Sequence, residues 1–210
     1  MRIPNEVHRS HAWRILQIVP DFTLEDVWAL PVHGGAGDFQ RLLEQTVSAD
    51  PGKALAPAAR ALWHARDRLG SWLGLDRTSA PAGATRAKDR LPIPGTNELS
   101  LANRLPNDLR GTAKDLTFHS LPFVPLYRTD VEFAAEISNK TVHGVMHLAW
   151  VDRGAGRFEG QMAVYVKPRG RFGKAYMAFI KPFRYLIVYP ALMRQIERAW
   201  NEPAPRRKAS

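Results

Sequence analysis

The spacing of apolar residues changes from a helical period in the first half of the chain to an alternating period in the second. Phe39, Leu42 and Leu43 recur three and four positions apart, which predicts a short helix over residues 38–47. The same spacing over residues 57–73 predicts a longer helix. From residue 122 onwards apolar and polar side chains alternate, as they do in half-buried strands. Helices and strands are therefore expected in different parts of the chain.

The segment before residue 35 is predicted to begin with a strand and to continue as a turn of helix. Residues 13–19, WRILQIV, alternate and contain β-branched side chains, which favours a strand. Residues 21–31 follow, with Thr23 as a helix N-cap and Pro31 as the stop. The acidic residues around this predicted start are Asp21, Glu25 and Asp26. Negative charge at a helix N-terminus is favourable, so we interpret them as part of that helix start.

Four strands and a final helix are predicted after residue 121. The strands are expected at residues 122–128, 131–138, 141–151 and 161–167, although EFAAEI in the second of them could also make a helical turn. The glycine-rich DRGAGRFEG before the last of them is typical of a hairpin connection. Residues 174–200 have a helical pattern, but Pro182 and Pro190 must kink this helix or begin new ones, because proline lacks the N–H donor. Residues 76–97 are rich in Pro, Gly and Ala and are predicted to be an exposed loop.

Helices that are segregated from a set of antiparallel strands indicate the α+β class. At 210 residues the chain is long enough for one sizeable core. We therefore expect a single domain over residues 1–202 and a disordered basic tail over residues 203–210.

Two histidines four residues apart, His143 and His147, are the first candidate for chemistry. In a helix this spacing would suit a zinc pair, but Gly144 and several β-branched neighbours favour a strand. In a strand the two residues share a face and stand about 13 Å apart, too far to bind one metal ion. We therefore expect no metal and no cofactor. Either one histidine lines a cavity as an acid–base group, or, as we favour, both lie half-exposed on the outer face of a sheet.

Composition excludes several classes of protein. The chain has no cysteine, so disulfides, thiolate metal sites and cysteine nucleophiles are excluded. The phosphate-binding loop, the dinucleotide fingerprint and the nucleophile elbow are all absent from the sequence. No stretch resembles a signal peptide, and the apolar run at residues 185–193 is far shorter than the roughly 20 residues that span a bilayer. We expect a cytoplasmic protein that associates at most peripherally with a membrane.

Positive charge is concentrated in the last quarter of the chain. The net charge is +10, and residues 160–210 carry 11 basic and two acidic side chains, whereas residues 1–159 carry 19 and 18. Aromatic residues are interleaved with Lys174, Lys181 and Arg184, as in an interfacial amphipathic helix. An anionic membrane surface is therefore a candidate partner, and a solvated basic face is the alternative. No nucleic-acid partner is expected, because the sequence lacks recognition motifs for one.

Four long motifs stand out within residues 10–200: TVHGVMHLAWV, QMAVYVKPRGRFGKAYMAFIKPFRYLIVYPAL, DFTLEDVWALPVHGGAGDF and NRLPNDLR. Through them the chain resembles a bacterial domain-of-unknown-function family related to the helix-grip (START-like, SRPBCC) superfamily. The resemblance implies a curved antiparallel sheet wrapped around a long C-terminal helix, with extra N-terminal helices and a cavity between sheet and helix.

The resemblance also implies a function, since helix-grip relatives bind lipids, sterols or polyketides in that cavity. We expect a hydrophobic ligand there, lined by Met146, Leu148, Trp150, Met162, Val164, Tyr176, Phe179 and Phe183. The first alternative is a cyclase- or dehydratase-type enzyme in the same cavity, with His143, His147 and Tyr165 as its candidate catalytic residues. The second is a peripheral membrane module that uses the basic C-terminal quarter.

Overall fold

A computed structural model describes residues 1–49 and 91–202, and this part of the chain contains both helices and strands. The strands are β1 (Arg2–Ile3), β2 (Thr23–Gly34), β3 (Val124–Arg128), β4 (Glu132–Ser138), β5 (Val142–Asp152) and β6 (Phe158–Pro168). The helices are α1 (Asn5–Arg9), α2 (Ile15–Ile18), α3 (Phe39–Ser48), α4 (Gly170–Phe183) and α5 (Tyr189–Asn201). The α+β class is thereby confirmed. The predicted helix at residues 57–73, most of the predicted loop and the predicted tail lie outside the described residues.

The described strands form one open antiparallel sheet. Its order is β1-β2-β6-β5-β4-β3, so the two-residue β1 and the short β3 are its edges. The β5–β6 hairpin pairs without interruption from Val142 opposite Pro168 to Asp152 opposite Phe158. The four strands that were predicted after residue 121 and the hairpin connection are confirmed.

The first 34 residues fold differently from the prediction. The expected strand at residues 13–19 contains the short helix α2, in which Ile15 and Ile18 are buried three positions apart. A short apolar run fits either period, and here the helical one places both isoleucines in the core. The expected helical turn at residues 21–31 is wrong, since Thr23–Gly34 is a strand. Pro31 does not interrupt this strand, because it lies where the register shifts between Ala29 and His33 and no ladder bond is required.

Each face of the sheet is covered by its own layer. We call the face that carries His143, Val145 and His147 the histidine face, and the face that carries Met146 and Leu148 the helix face. Apolar side chains from residues 13–22 and 93–109 cover the histidine face. Those of α3, α5 and residues 113–118 cover one end of the helix face. The sheet is therefore the middle layer of three, which explains why β5 is buried on both sides.

The C-terminal helix is interrupted, as its prolines predicted. Pro182 lies in the last turn of α4, and a π turn over Arg184–Val188 follows it at once. Pro190 lies in the first turn of α5, directly after the π turn, and its missing N–H leaves a carbonyl of that turn without its helical donor. The interruption divides the segment into α5, which packs on the core, and α4, which contacts the sheet mainly along β6.

Candidate functional site

The helix face of the sheet has a sealed end and an open end. At the sealed end, Leu148, Trp150 and Met162 are almost fully buried and pack against residues of α3 and α5. At the open end, Ile137, Met146 and Val164 are only half-buried. Val166, beyond Val164 on the same face and nearer the start of α4, is buried again. Cross-strand partners share a face in an antiparallel sheet, and Val164 lies opposite Met146, so the exposed apolar surface is continuous across β6 and β5.

Helix α4 passes over the open end. It begins immediately after β6, and Gly173 lies so close to the sheet that a Cβ at this position would stand 2.4 Å from the carbonyl oxygen of Thr141. The π turn that follows α4 brings Arg184 to Asp26 of β2, on the helix face. These two contacts fix where the helix starts and where it ends. The half-buried α4 side chains Tyr176, Ile180 and Phe183 lie between them.

A guanidinium group holds the start of α4. The Nε of Arg169 donates to the carbonyl oxygen of Asn139 at 2.7 Å, and its Nη2 donates to the hydroxyl of Ser138 at 2.9 Å. The same side chain also donates to the carbonyl oxygens of Leu91 and Pro92. Arg169 thus connects the start of α4 to the β4–β5 turn and to residues 91 and 92.

A buried carboxylate holds the other end. Asp26 is fully buried and accepts hydrogen bonds from Tyr189 Oη at 2.8 Å and from Arg184 Nη2 at 2.9 Å. The Nε1 of Trp28 and the hydroxyl of Tyr185 donate to it at 3.2 and 3.3 Å. Burial raises the pKa of Tyr189, so its hydroxyl stays protonated and donates. This set of residues is called the Asp26 cluster below.

The Asp26 cluster is the part of the site that sequence reasoning missed. Asp26 was interpreted as favourable charge at a helix start, but β2 turns it inwards, opposite Val164. Its position at the edge of the half-exposed apolar surface places a polar group beside an apolar one. The signal that could have found it is a carboxylate within a run of β-branched and aromatic residues, which indicates a buried acid when the segment is a strand.

The eight residues predicted to line a ligand cavity separate into three groups. Leu148, Trp150 and Met162 lie in the packed sealed end. Phe179 points outwards and is 58% exposed. The remaining four are half-buried: Met146 and Val164 at the open end of the sheet, and Tyr176 and Phe183 on α4. We call the region formed by these four with Ile137 and Ile180 the groove.

The histidine face carries two buried histidine–carboxylate pairs. The Nε2 of His143 lies 2.9 Å from Glu136 Oε2, and the Nε2 of His147 lies 3.2 Å from Glu132 Oε2. Both imidazoles have zero solvent exposure. The prediction that the two histidines are half-exposed on an outer face is wrong, because residues 13–22 and 93–109 add a further layer over them. Their expected position on one face of a strand is confirmed.

Both carboxylates also fasten the covering layer to the sheet. Glu132 accepts the Arg14 N–H, at the start of α2, at 3.0 Å, and the hydroxyl of Tyr127 at 2.9 Å. Glu136 accepts the Ser100 hydroxyl and, at 3.1 Å, the Leu101 N–H, which begins a 3-10 turn. Each acid therefore satisfies donors at the start of a short helical turn that have no partner within the turn.

His8 joins this layer from a position that no local pattern indicated. Its Nδ1 lies 2.6 Å from Gln161 Oε1, and its Nε2 lies 2.9 Å from the hydroxyl of Tyr165. The imidazole rings of His8 and His147 meet edge to face, with centroids 5.3 Å apart. Tyr165, which was a candidate catalytic residue, is therefore a buried hydrogen-bond donor to His8.

The protonation states on this face follow from burial. Burial and, to a smaller extent, the nearby His147 lower the pKa of His8 to about 4, against the hydrogen bond with Gln161, which raises it. Burial likewise lowers the pKa of His147. Burial by itself would raise the pKa of Glu132, but the hydrogen bond from His147 and the other donors outweigh it and lower the value. At neutral pH the pair is a neutral imidazole that donates to a carboxylate.

This arrangement holds structure together and offers no access to a substrate. The histidines and Tyr165 lie on the opposite face of the sheet from the groove, so an enzyme acting between sheet and helix would not reach them. Among residues 1–49 and 91–202, no group of three histidine or acidic side chains is placed to hold a metal ion.

The three basic residues considered for membrane contact are not equivalent. Lys174 and Lys181 are exposed on α4. Arg184 is bound to Asp26, and its side chain is only 14% exposed. No helix in the described part of the chain is long and apolar enough to cross a bilayer.

Comparison with known proteins gives a family and no further relative. The family model described as protein of unknown function, DUF2867, matches residues 18–191. The match includes β2 to β6, α4 and the first turn of α5, and so both the groove and the Asp26 cluster. The curated proteins and the solved structures contain no match.

Proposed function

The chain belongs to the DUF2867 family of proteins of unknown function, and we propose that it binds a hydrophobic small molecule in the groove. The observation that carries this proposal is the contrast within one face of the sheet. The sealed end buries its apolar side chains against α3 and α5, whereas Met146 and Val164 at the open end, and Tyr176 on the helix that is fastened at both ends, stay only half-buried.

Apolar surface that is left half-exposed inside a fold is costly, because each buried square ångström of apolar area contributes about 25 cal/mol. An apolar ligand that covers the groove would recover that contribution. The fixed ends of α4 make the groove a preformed site, since Arg169 and the Asp26 cluster keep the helix in place without a ligand. Preformed apolar sites with a few polar groups at their edge are typical of small-molecule binding.

The Asp26 cluster supplies the polar edge. Tyr185 is half-exposed, and its hydroxyl donates to Asp26. Burial, and then the charge of Asp26, raises the pKa of Tyr185, so the hydroxyl remains a donor at neutral pH. Because the Tyr185 proton is directed at Asp26, its oxygen is left as an acceptor. The ligand that suits this arrangement is amphipathic, with an apolar body along β5 and β6 and one hydrogen-bond donor directed towards the Tyr185 oxygen.

The proposal agrees with the helix-grip relationship that the sequence resemblance implies. An open antiparallel sheet crossed by an interrupted C-terminal helix is compatible with a helix grip, and we propose that relationship with the ligand site. An enzyme of the cyclase or dehydratase type is the weaker proposal. Its candidate residues His143, His147 and Tyr165 are sealed on the far face, so the Asp26 cluster would have to supply the acid–base groups.

Groove filling tests the proposal directly. The fluorescent fatty acid cis-parinaric acid is the probe, and organic extracts of the purified protein are examined by mass spectrometry for a natural ligand. We expect Val164→Trp to weaken probe binding at least about 10-fold, because the larger ring occupies the site. The matched control is Val7→Trp, which places the same ring on α1, where the native side chain is 41% exposed.

The two variants separate a groove from non-specific adsorption. Equal affinity of the wild-type protein and Val164→Trp, or an equal loss in Val7→Trp, would contradict the proposal. So would an extract that contains no apolar compound together with a protein that does not bind the probe. Thermal unfolding of each variant shows whether a loss of binding comes from a loss of folding.

A further inference from the structure

The outward face of α4 and the π turn after it carries large apolar side chains that nothing in the described structure covers. Phe172 is 44% exposed, Phe179 is 58% exposed and Leu186 is 77% exposed. These residues are seven positions apart, which is about two helical turns, so they line up on one side of the helix. The inward side is a different set, with Gly173 and Met177 buried.

Positive charge lies along the other edge of the exposed side of α4. Arg171, Lys174 and Lys181 are all exposed. At about 100° per residue, Arg171 lies about 80–100° around the helix from the apolar line, and the two lysines lie about 140–180° from it. The three residues therefore form a basic strip along the other edge of the exposed side of α4. The sequence has no acidic residue between Glu159 and Glu197, so no negative charge on this segment offsets the strip. We call the three apolar and three basic residues together the docking stripe.

We propose that the docking stripe binds an anionic membrane surface. An exposed helix side with large apolar side chains along one edge and basic side chains along the other can insert the former into a membrane surface while the latter contact lipid phosphates. A second copy of this chain is disfavoured, because pairing two such helices would bring their basic strips together without a compensating acid. Arg184 takes no part, since it is bound to Asp26.

The docking stripe uses the exposed side chains of α4, whereas the groove uses its half-buried ones. The two sets meet where the rings of Phe179 and Phe183 contact each other, with centroids 5.8 Å apart. If both proposals hold, the helix that forms one wall of the groove is the element that touches the lipid. An apolar ligand would then enter or leave the groove next to the membrane and not through bulk water.

Co-sedimentation with vesicles tests the proposal on the full chain. We expect binding to vesicles of phosphatidylcholine with phosphatidylglycerol, little binding to phosphatidylcholine alone, and a marked loss when salt is raised from about 50 mM to about 500 mM. Lys174→Gln with Lys181→Gln should weaken binding about 25-fold, or about fivefold per lysine. The matched control, Lys114→Gln with Lys140→Gln, removes two exposed lysines elsewhere and should change little.

A second set of variants tests the contribution of the apolar line to vesicle binding. Phe179→Ser with Leu186→Ser should weaken vesicle binding at least about 10-fold, whereas Leu99→Ser, at a side chain 47% exposed outside α4, should not. Equal binding to neutral and anionic vesicles, or equal losses in the control variants, would overturn the proposal. Binding of duplex DNA that survives Phe179→Ser with Leu186→Ser would also overturn it and assign the basic strip to nucleic acid.

Discussion

Alternate residues of β5 enter two different environments. Its odd-numbered histidines lie in a sealed layer in which imidazoles, carboxylates and hydroxyls bond to one another and to the backbone of the covering segments. Its even-numbered Met146 and Leu148 face the helices, and there the packing changes from sealed to half-exposed over two residues. The richer chemistry therefore lies on the inaccessible face, and the accessible face is mostly apolar. Reactive residue types alone do not locate a functional site, because their access to solvent decides what they can do.

The largest effect is expected from removing a carboxylate on the histidine face. Glu132→Ala leaves the Arg14 N–H, the Tyr127 hydroxyl and the His147 imidazole without their common acceptor. Leaving such buried donors unsatisfied costs about 3–5 kcal/mol, which should be visible in chemical denaturation.

The control is the exposed pair of Arg153 and Glu159, in which both side chains are 42% exposed. Glu159→Ala should cost no more than about 1 kcal/mol. If the two variants lose the same stability, the histidine face is not the sealed layer described here.

A smaller effect should separate the two ends of the helix face. Leu148→Ala at the sealed end should cost about 2–4 kcal/mol, because it leaves a cavity in a packed cluster. Val164→Ala at the open end should cost less than about 1 kcal/mol, since the side chain is already half-exposed. Urea denaturation of both variants measures the difference, and a similar loss in both would remove the distinction between a sealed end and a groove.

The smallest effect is a pH dependence that belongs to the histidine face. His8 titrates near 6.5 in the unfolded chain and at about 4 in the folded one, so between these values the unfolded state binds the extra proton. Stability should therefore fall as the pH is lowered, by about 2 kcal/mol between pH 7 and pH 5 from His8 alone. The lowered pKa of His147 acts in the same direction. The lowered pKa values of Glu132 and Glu136 reduce the stability only when the pH falls below about 4.5.

Denaturation of His8→Gln at several pH values isolates this contribution. The slope of the unfolding free energy between pH 5 and pH 7 should become shallower than in the wild-type protein. His119→Gln, which removes an exposed histidine, should keep the wild-type slope. An unchanged slope in His8→Gln would show that His8 is not held neutral by its burial.

The local sequence pattern predicted an element correctly wherever the residues of that segment alone decide its structure. The alternation in VHGVMHLAWV and the glycine-rich turn after it predicted the β5–β6 hairpin, and Pro182 and Pro190 predicted the interruption of the C-terminal helix. The pattern failed for β2, where a proline in mid-strand is tolerated only because the register shifts around it. It also failed for residues 13–19, where a short apolar run is consistent with either period.

The chain's own pattern of residues established the α+β class, the shared face of His143 and His147, and the amphipathic, basic character of α4, since each depends on periodicity or composition within one segment. Only the tertiary structure decided that His8 and Tyr165 meet, that Asp26 and Arg184 bind each other, and that the histidines are sealed while Met146 and Val164 are not. Those outcomes join residues more than a hundred positions apart or depend on which segment covers which face, and the periodicity within a segment carries no information about its distant neighbours.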